Sequence, residues 1–382
     1  MDFSQLTEYL ESATRNRIPA IQMTVLQDGN QIYCHSAGYI DPETRQHPVN
    51  GETLFDLASV TKLFTTSAFM RAVESRLVSL DQPVSTILSD FIGQRPIRGY
   101  EDPLKWGDTV QPAVTPGQTV DAGKTTFREL LAHNSGLPAW RAFKDEADAD
   151  AAKRLALNTT FFYPPGTRVV YSDVGLILLG MSLEKLYEER LDRIIHKLVT
   201  EPLGLSQTTY LPIGETVQGI DYKNIAPTEF CKWRGRRIQG QVHDESTYRL
   251  DGIAGHAGLF SNSNELARFG QAFLTPPERF LQPETITEMR RRQSIDGDVR
   301  RGIGFALWCP DPDASSNPLS PSAFGHTGFT GTELWVDPDR RIVIAQLTNE
   351  VYFGREDRVI MAFRVNAHRL LLGALAGTKG GG

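Results

Sequence analysis

Apolar residues recur at helical spacing in the first turns of the chain, where Phe3, Leu6, Leu10 and Ala13 share a face and an amphipathic helix is expected. Alternation then takes over. Ile21-Gln22-Met23-Thr24-Val25-Leu26 reads as a strand, Asp28-Gly29-Asn30 supplies a hairpin turn, and the segment from Ile32 to Tyr39 returns. The far end mirrors this order. Glu333 to Val336 and Arg341 to Leu347 read as strands around the turn Asp337-Pro338-Asp339-Arg340, and Glu356 to Leu372 as a long helix with Val359, Phe363, Ala367 and Leu370 on one face.

Between these ends the periodicity is mostly helical. The run beginning Phe55-Asp56-Leu57-Ala58-Ser59 opens one helix, and Leu80-Asp81-Gln82-Pro83-Val84 turns into a short second one. Thr126-Phe127-Arg128-Glu129 has the form of a capping box, and its helix stops at Asn134-Ser135-Gly136. Ala151 to Leu157 and the strongly apolar Val174 to Leu186 follow, and Ser261-Asn262-Ser263-Asn264-Glu265-Leu266 is a further capped start. Residues 93–125, rich in Gly, Pro and Asp (Pro96, Pro103, Pro112, Pro116, Gly117), read as a long surface loop, and residues 205–250 as irregular and polar. The fold expected is α/β (α+β): an antiparallel sheet flanked by helices, with a mostly helical second lobe. Residues 1–55 and 250–382 are assigned to the sheet domain and residues 56–249 to the helical one. A site in the cleft between them is expected.

Composition narrows the function classes. A net charge of −6 gives no basic field for nucleic acid. No window of about 18 apolar residues exists to span a membrane. The start Met1-Asp2-Phe3-Ser4-Gln5 lacks the basic and apolar runs of a signal peptide, so a cytoplasmic location is expected. Cys34, Cys231 and Cys309 are too few and too scattered for a disulfide framework. Neither Cys-x-x-Cys nor His-Glu-x-x-His occurs, and no metal or cofactor is expected. Thr378 to Gly382 reads as a disordered tail.

Two patterns are set aside. Gly117 and Gly123-Lys124-Thr125 resemble a phosphate-binding loop, but the leading glycine is one position too far and no strand is expected before it. Arg234, Arg236 and Arg237 read as a solvated cluster.

Ser59 and Lys62 stand three residues apart at a helix start, and side chains at that spacing share a helical face. A serine hydroxyl needs a neighbouring base to become a nucleophile, and a lysine can serve if its surroundings lower its pKa. Free N–H groups in the first helical turn favour the developing negative charge. Taken alone, the same pair describes an ordinary helix start with a solvated lysine.

Two further segments line up with it: Pro165-Gly166-Thr167-Arg168-Val169-Val170-Tyr171-Ser172-Asp173, and Phe324-Gly325-His326-Thr327-Gly328-Phe329-Thr330-Gly331. Ser-x-x-Lys, then a tyrosine motif, then His-Thr-Gly in this order resembles the serine β-lactamase and penicillin-binding protein superfamily, most closely class C β-lactamases and family VIII esterases. Leu131-Ala132-His133-Asn134-Ser135-Gly136-Leu137 and Gly255-His256-Ala257-Gly258-Leu259-Phe260-Ser261 are similar to it as well. The resemblance implies a β-lactamase/transpeptidase-like fold and an acyl-enzyme on Ser59. It implies a neutral Lys62 working with Tyr171 as a unit, an oxyanion hole from the Ser59 and Phe329 N–H groups, and substrate contacts from Asp173, His326, Thr327 and Gly328. Gly328 would let the strand edge come close to the substrate. His133 and His256 are read as structural, satisfying loop backbone groups.

Two departures shape the expected substrate. Asp173 stands where such enzymes carry asparagine, placing a carboxylate where an amide donor is usual. His326 replaces a lysine, so a fixed positive charge is missing at neutral pH. Both favour carboxylic esters or neutral amides over anionic β-lactams. The alternatives are a D,D-peptidase, D-aminopeptidase or β-lactamase of the same superfamily, an acyltransferase, and a ligand-binding module without turnover.

Overall fold

The computed structural model describes residues 1–102, 105, 107–113 and 117–377. Pro103, Pro116 and the tail from Thr378 lie outside the described residues. Helix α1 (Ser4–Thr14) leads into the hairpin of β1 (Ala20–Gln27) and β2 (Asn30–Gly38). Helices α2 (Thr61–Glu74), α3 (Phe127–Leu131), α4 (Asp173–Tyr187) and α5 (Ser263–Gln271) carry much of the middle. Strands β3 (Ser294–Asp296), β4 (Val299–Arg301), β5 (Ala306–Leu307), β6 (Phe324–Thr327), β7 (Glu333–Asp337) and β8 (Ile342–Thr348) precede the last helix, α6 (Ile360–Ala376). One antiparallel sheet has the order β3-β4-β5-β6-β7-β8-β1-β2. Its centre joins the two ends of the chain, with Ile21 opposite Thr348 and Val25 opposite Ile344.

Alternation explains the two faces of this sheet. Ile21, Met23 and Val25, with Ile342 and Ile344, pack on one side with Leu6 and Leu10 of α1 and Phe363 and Leu371 of α6. Val343, Ala345 and Leu347 join the larger cluster containing Leu63, Phe64, Leu178 and Phe269. On that same side Gln22 and Thr24 hold the start of α5: Ser263 N–H donates to Gln22 Oε1 (2.9 Å), and the Thr24 and Ser263 hydroxyls lie 2.8 Å apart. Helices therefore cover both faces, and β1 is buried from Ala20 to Leu26.

Several local expectations change. Residues 93–125 include two small ladders, Gln94–Pro96 with Thr119–Asp121 and Tyr100–Glu101 with Thr109–Val110. These strands are too short to show alternation, so composition dominated the reading. A strand does precede Gly123-Lys124, contrary to expectation, but it leads into a 3-10 turn in which Asp121 Oδ1 accepts from Gly123 N–H. The Lys124 side chain is 84% exposed there, away from any phosphate cradle. The capping box at Thr126 forms in full; the left-handed residue that follows α3 is His133 (φ +54°), ahead of Gly136. Arg234 and Arg237 are not solvated. Arg234 lies over Tyr248 (4.3 Å) and donates to the Val242 and His243 carbonyls, and Arg237 lies over Tyr352 (3.7 Å). In α6 the buried face carries Leu371 in place of Leu370, and Val359 is exposed at the helix entrance.

Leu10→Ala should cost about 2–5 kcal/mol, because Leu10 is fully buried beneath the sheet and its loss leaves a cavity. Urea unfolding measures this, and an unchanged midpoint would show that α1 does not contribute to the core.

Candidate active site

A two-residue strand, Phe55–Asp56, pairs with Leu259–Ser261 and ends at a 3-10 turn, Ala58–Val60, that runs into α2. Ser59 sits in this turn. The turn is strained, since Ala58 adopts φ +46°, a region most side chains avoid. Long-range contacts hold it there. Asp56 Oδ1 accepts from Ala58 N–H (2.8 Å), and its Oδ2 accepts from His243 N–H (2.6 Å). Thr330 Oγ1 donates to the Asp56 carbonyl (2.7 Å) and Thr332 Oγ1 to the Leu57 carbonyl (2.8 Å). The connection after β6 is thereby stapled to the Ser59 turn. Gly328 is required at that seam, because a Cβ there would lie 2.5 Å from the Leu57 carbonyl oxygen. The close approach is to the Ser59 turn.

Lys62 is 1% exposed and its ammonium is fully engaged. It donates to Ser59 Oγ (2.9 Å) and to the His256 carbonyl (3.0 Å). Asp173 Oδ1 lies 2.7 Å away, as an ion pair whose angles fall outside hydrogen-bond geometry. Burial pulls the Lys62 pKa down, but the Asp173 carboxylate, helped by the nearby Tyr171 phenol oxygen, outweighs it, and the net shift is upward. This corrects the expectation of a neutral lysine: in the free protein Lys62 is protonated and donates to the serine. The reading of Asp173 changes with it. Its carboxylate is ion-paired with Lys62, which weakens the case against anionic substrates made from Asp173 in the sequence.

Tyr171 leads into α4, whose N-cap is the Ser172 hydroxyl, accepting from Gly175 N–H. Two cations lie against its ring, with Lys62 Nζ 4.8 Å and the Arg301 guanidinium 5.1 Å from the centroid. Burial nevertheless raises the phenol's pKa, against the lowering influence of Lys62, so Tyr171 is a neutral phenol. Its hydroxyl is buried without a hydrogen-bond partner, although Ser59 and Lys62 lie near enough to influence its titration. His133 and His326 flank the ring at 4.7 and 5.7 Å between centroids. Burial holds both well below the usual histidine range. His133 Nδ1 accepts from Ser172 N–H (3.0 Å), the backbone role expected of it. His256 pairs through Nε2 with Asp244 (2.9 Å) and supplies a carbonyl to Lys62. His326 Nδ1–H donates to the Thr327 carbonyl (2.8 Å), which leaves a buried, unpartnered lone pair on Nε2.

Ser59, Tyr171, Asp173, His326, Thr327, Gly328 and Phe329 all line one cavity of about 970 Å³. Lys62 sits just beneath it, bonded to Ser59. Among the described residues, the Ser59 and Phe329 N–H groups make no bond outside their own turns, so both remain available to an oxyanion. Sequence reading missed Arg301, which comes from β4 and also lines the cavity. No carboxylate pairs with its guanidinium among the described residues, so a fixed cation is present after all. Arg364, Thr330 and Thr332 were missed too. Nothing local marks any of them, since each acts on a residue distant in sequence.

A strand-turn-helix serine with a buried lysine, a phenol and a glycine-rich strand across a cleft defines the serine β-lactamase and penicillin-binding type of hydrolase. The family model Beta-lactamase matches residues 4–366, and the chain belongs to that family. An N-acetylmuramyl-L-alanine amidase of Bacillus subtilis (strain 168) is 31% identical, over 87% of this chain and 77% of its own length. A putative D-alanyl-D-alanine carboxypeptidase of Escherichia coli (strain K12) is 28% identical, over 91% of this chain and 82% of its own. Among solved structures, the fold matches EstCE1, described as a hydrolase with promiscuous acyltransferase activity (TM-score 0.71, 22% identity, 96% of this chain and 98% of that one). It also matches an octameric penicillin-binding protein homologue from Pyrococcus abyssi (TM-score 0.72, 23% identity, 98% and 78%). No helix among the described residues is long and apolar enough to cross a membrane.

Asp173→Asn should move the pH dependence of kcat/KM toward lower pH, because burial is then opposed by fewer negative charges at Lys62. A profile that does not move would mean that Lys62 does not limit the rate through its protonation. Asp56 gives a stability test. Burial raises its pKa from 3.8 to about 6, against the two N–H groups it accepts. The folded state therefore binds this proton more tightly than the unfolded chain. Its contribution to stability falls as pH rises from about 4 to about 6, by about 3 kcal/mol in all. Urea unfolding at several pH values should show that slope reduced in Asp56→Asn, and an identical slope in both proteins would contradict it.

Proposed function

We propose that the protein cleaves carboxylic esters through an acyl-enzyme on Ser59. The observation that carries this reading is the 2.9 Å contact between Ser59 Oγ and Lys62 Nζ at the floor of an open cavity. Substrate binding displaces water from that cavity, and a drier site favours the neutral forms of the Lys62–Asp173 pair. A proton passes from Lys62 Nζ to Asp173, and the neutral amine takes the Ser59 proton as Oγ bonds to the acyl carbon. The Ser59 and Phe329 N–H groups hold the oxyanion. Tyr171 gives its proton to the departing alkoxide as the C–O bond breaks, and recovers one from Lys62. Water, entering where the alcohol left, repeats the sequence and releases the acid.

One observation favours a second reading within the same chemistry. The unpaired Arg301 guanidinium faces the cavity beside Tyr171, and a guanidinium fork suits a carboxylate. Peptides with a free C-terminal carboxylate, the class named for the Escherichia coli relative, would suit such a cation. Esters remain the first reading because Lys62 is protonated at rest, and an activated alcohol leaves more readily than an amine.

Short-chain p-nitrophenyl esters should be turned over, and Ser59→Ala should lower kcat by at least about a thousandfold. Full activity in Ser59→Ala would overturn the assignment of the nucleophile. Intact-mass measurement with an ester, a penicillin and a D-Ala-D-Ala peptide separates the readings. Release of D-Ala with little ester turnover favours the second, and a lasting adduct without turnover favours a ligand-binding module.

A further inference from the structure

The C-terminal part of the chain reaches the site through the backbone. Arg364, on α6, is 2% exposed, and its Nη2 donates to the carbonyls of Gly328 (3.0 Å) and Thr332 (2.7 Å). The Gly328 carbonyl belongs to the same peptide unit as the Phe329 N–H. Arg358, just before α6, donates through Nη2 to the Phe329 carbonyl (2.6 Å), which belongs to the next peptide unit. Two guanidinium groups thus grip consecutive peptides, and only the first of these carries an N–H proposed for the oxyanion hole.

We infer that Arg364 is a positioning residue that orients and polarises the Gly328–Phe329 peptide, so that Phe329 N–H becomes a stronger donor to the oxyanion. A cationic donor on a peptide carbonyl draws electron density from the amide nitrogen, and hydrogen bonds in a low-dielectric interior reinforce one another in this way. The surroundings leave the Nη2 donors to the backbone, because the paired carboxylate stands on the Nε side. The nearest carboxylate, Glu333, is fully buried and shared with Trp335 Nε1 (3.0 Å), Gln346 Nε2 (3.3 Å) and His368 Nε2 (3.2 Å), and it stands 3.5 Å from Arg364 Nε. Arg364 Nε makes no hydrogen bond. The guanidinium is therefore ion-paired through Nε with Glu333, while its Nη2 is satisfied by the two carbonyls. Gly328 N–H donating to the Thr332 carbonyl (2.6 Å) closes the loop into a unit that Arg364 bridges.

This inference rests on the acyl-enzyme reading, and the test separates the two. The rate of Ser59 acylation by p-nitrophenyl acetate is followed by intact mass in wild type, Arg364→Lys and Arg358→Lys, with thermal unfolding of each alongside. Arg364→Lys keeps the charge, but its ammonium ends one bond short of the Nη2 position that serves both carbonyls. Its acylation rate should fall at least tenfold with KM within about twofold of wild type, and Arg358→Lys should lose less than a third as much. Guanidinium at millimolar concentration should restore part of the rate to Arg364→Ala, while equal sodium chloride should not. Equal acylation rates in wild type and Arg364→Lys overturn the inference. So does a loss in Arg358→Lys as large as that in Arg364→Lys, a comparison that stands even where an Arg364 variant folds poorly. Absence of any adduct on wild-type Ser59 overturns the acyl-enzyme reading itself.

Discussion

A lysine ammonium removed from water dictates much of this architecture. Lys62 is buried at the junction of α2 and α4, and a buried charge without partners is strongly destabilising. Its surroundings are arranged to prevent that. Asp173 arrives at the first turn of α4, the His256 carbonyl from the glycine-dense segment before Leu259, and Ser59 from its own turn. The chain is thereby committed to bringing three distant segments to one point, and that point is also where an acyl group would react. On the proposed mechanism, stability and reactivity are coupled through the same ion pair: what makes Lys62 tolerable in the interior makes it a poor base until the pair is perturbed.

The second constraint is the close seam between the Ser59 turn and the connection after β6. Two threonine hydroxyls, a glycine without room for a Cβ and a buried carboxylate hold a left-handed alanine in place. Both N–H groups proposed for the oxyanion belong to this seam, so their spacing is set by backbone contacts made before any substrate enters. Such pre-set donors are the usual source of the largest electrostatic contribution to acyl transfer.

Much of this was legible in the sequence, and the reason is chemical. Ser59 with Lys62, Tyr171 and His326-Thr327-Gly328 are short motifs that mean little singly and carry a signal only as an ordered set, and the terminal hairpin and helices have strong periodicity. The charge state of the site was not legible. Whether a lysine is neutral depends on what stands 2.7 Å away, and Asp173 comes from more than a hundred positions along the chain. Arg301 escaped notice for the same reason, since a basic residue in a polar hairpin looks solvated until the fold shows what it faces. The small ladders within residues 93–125 failed differently, being too short for any period to emerge from their composition.

The central sheet places β1 beside β8, so the first strand among the described residues waits for the last one. Contacts this remote in sequence form late and slowly. A nascent polypeptide therefore carries Ser59 for most of its synthesis without the Phe329 peptide and Arg364 that stand beside its turn in the folded protein. Only when α6 has emerged can Arg364 reach the Gly328 and Thr332 carbonyls, so the backbone beside Ser59 takes its final contacts from a segment translated long after it.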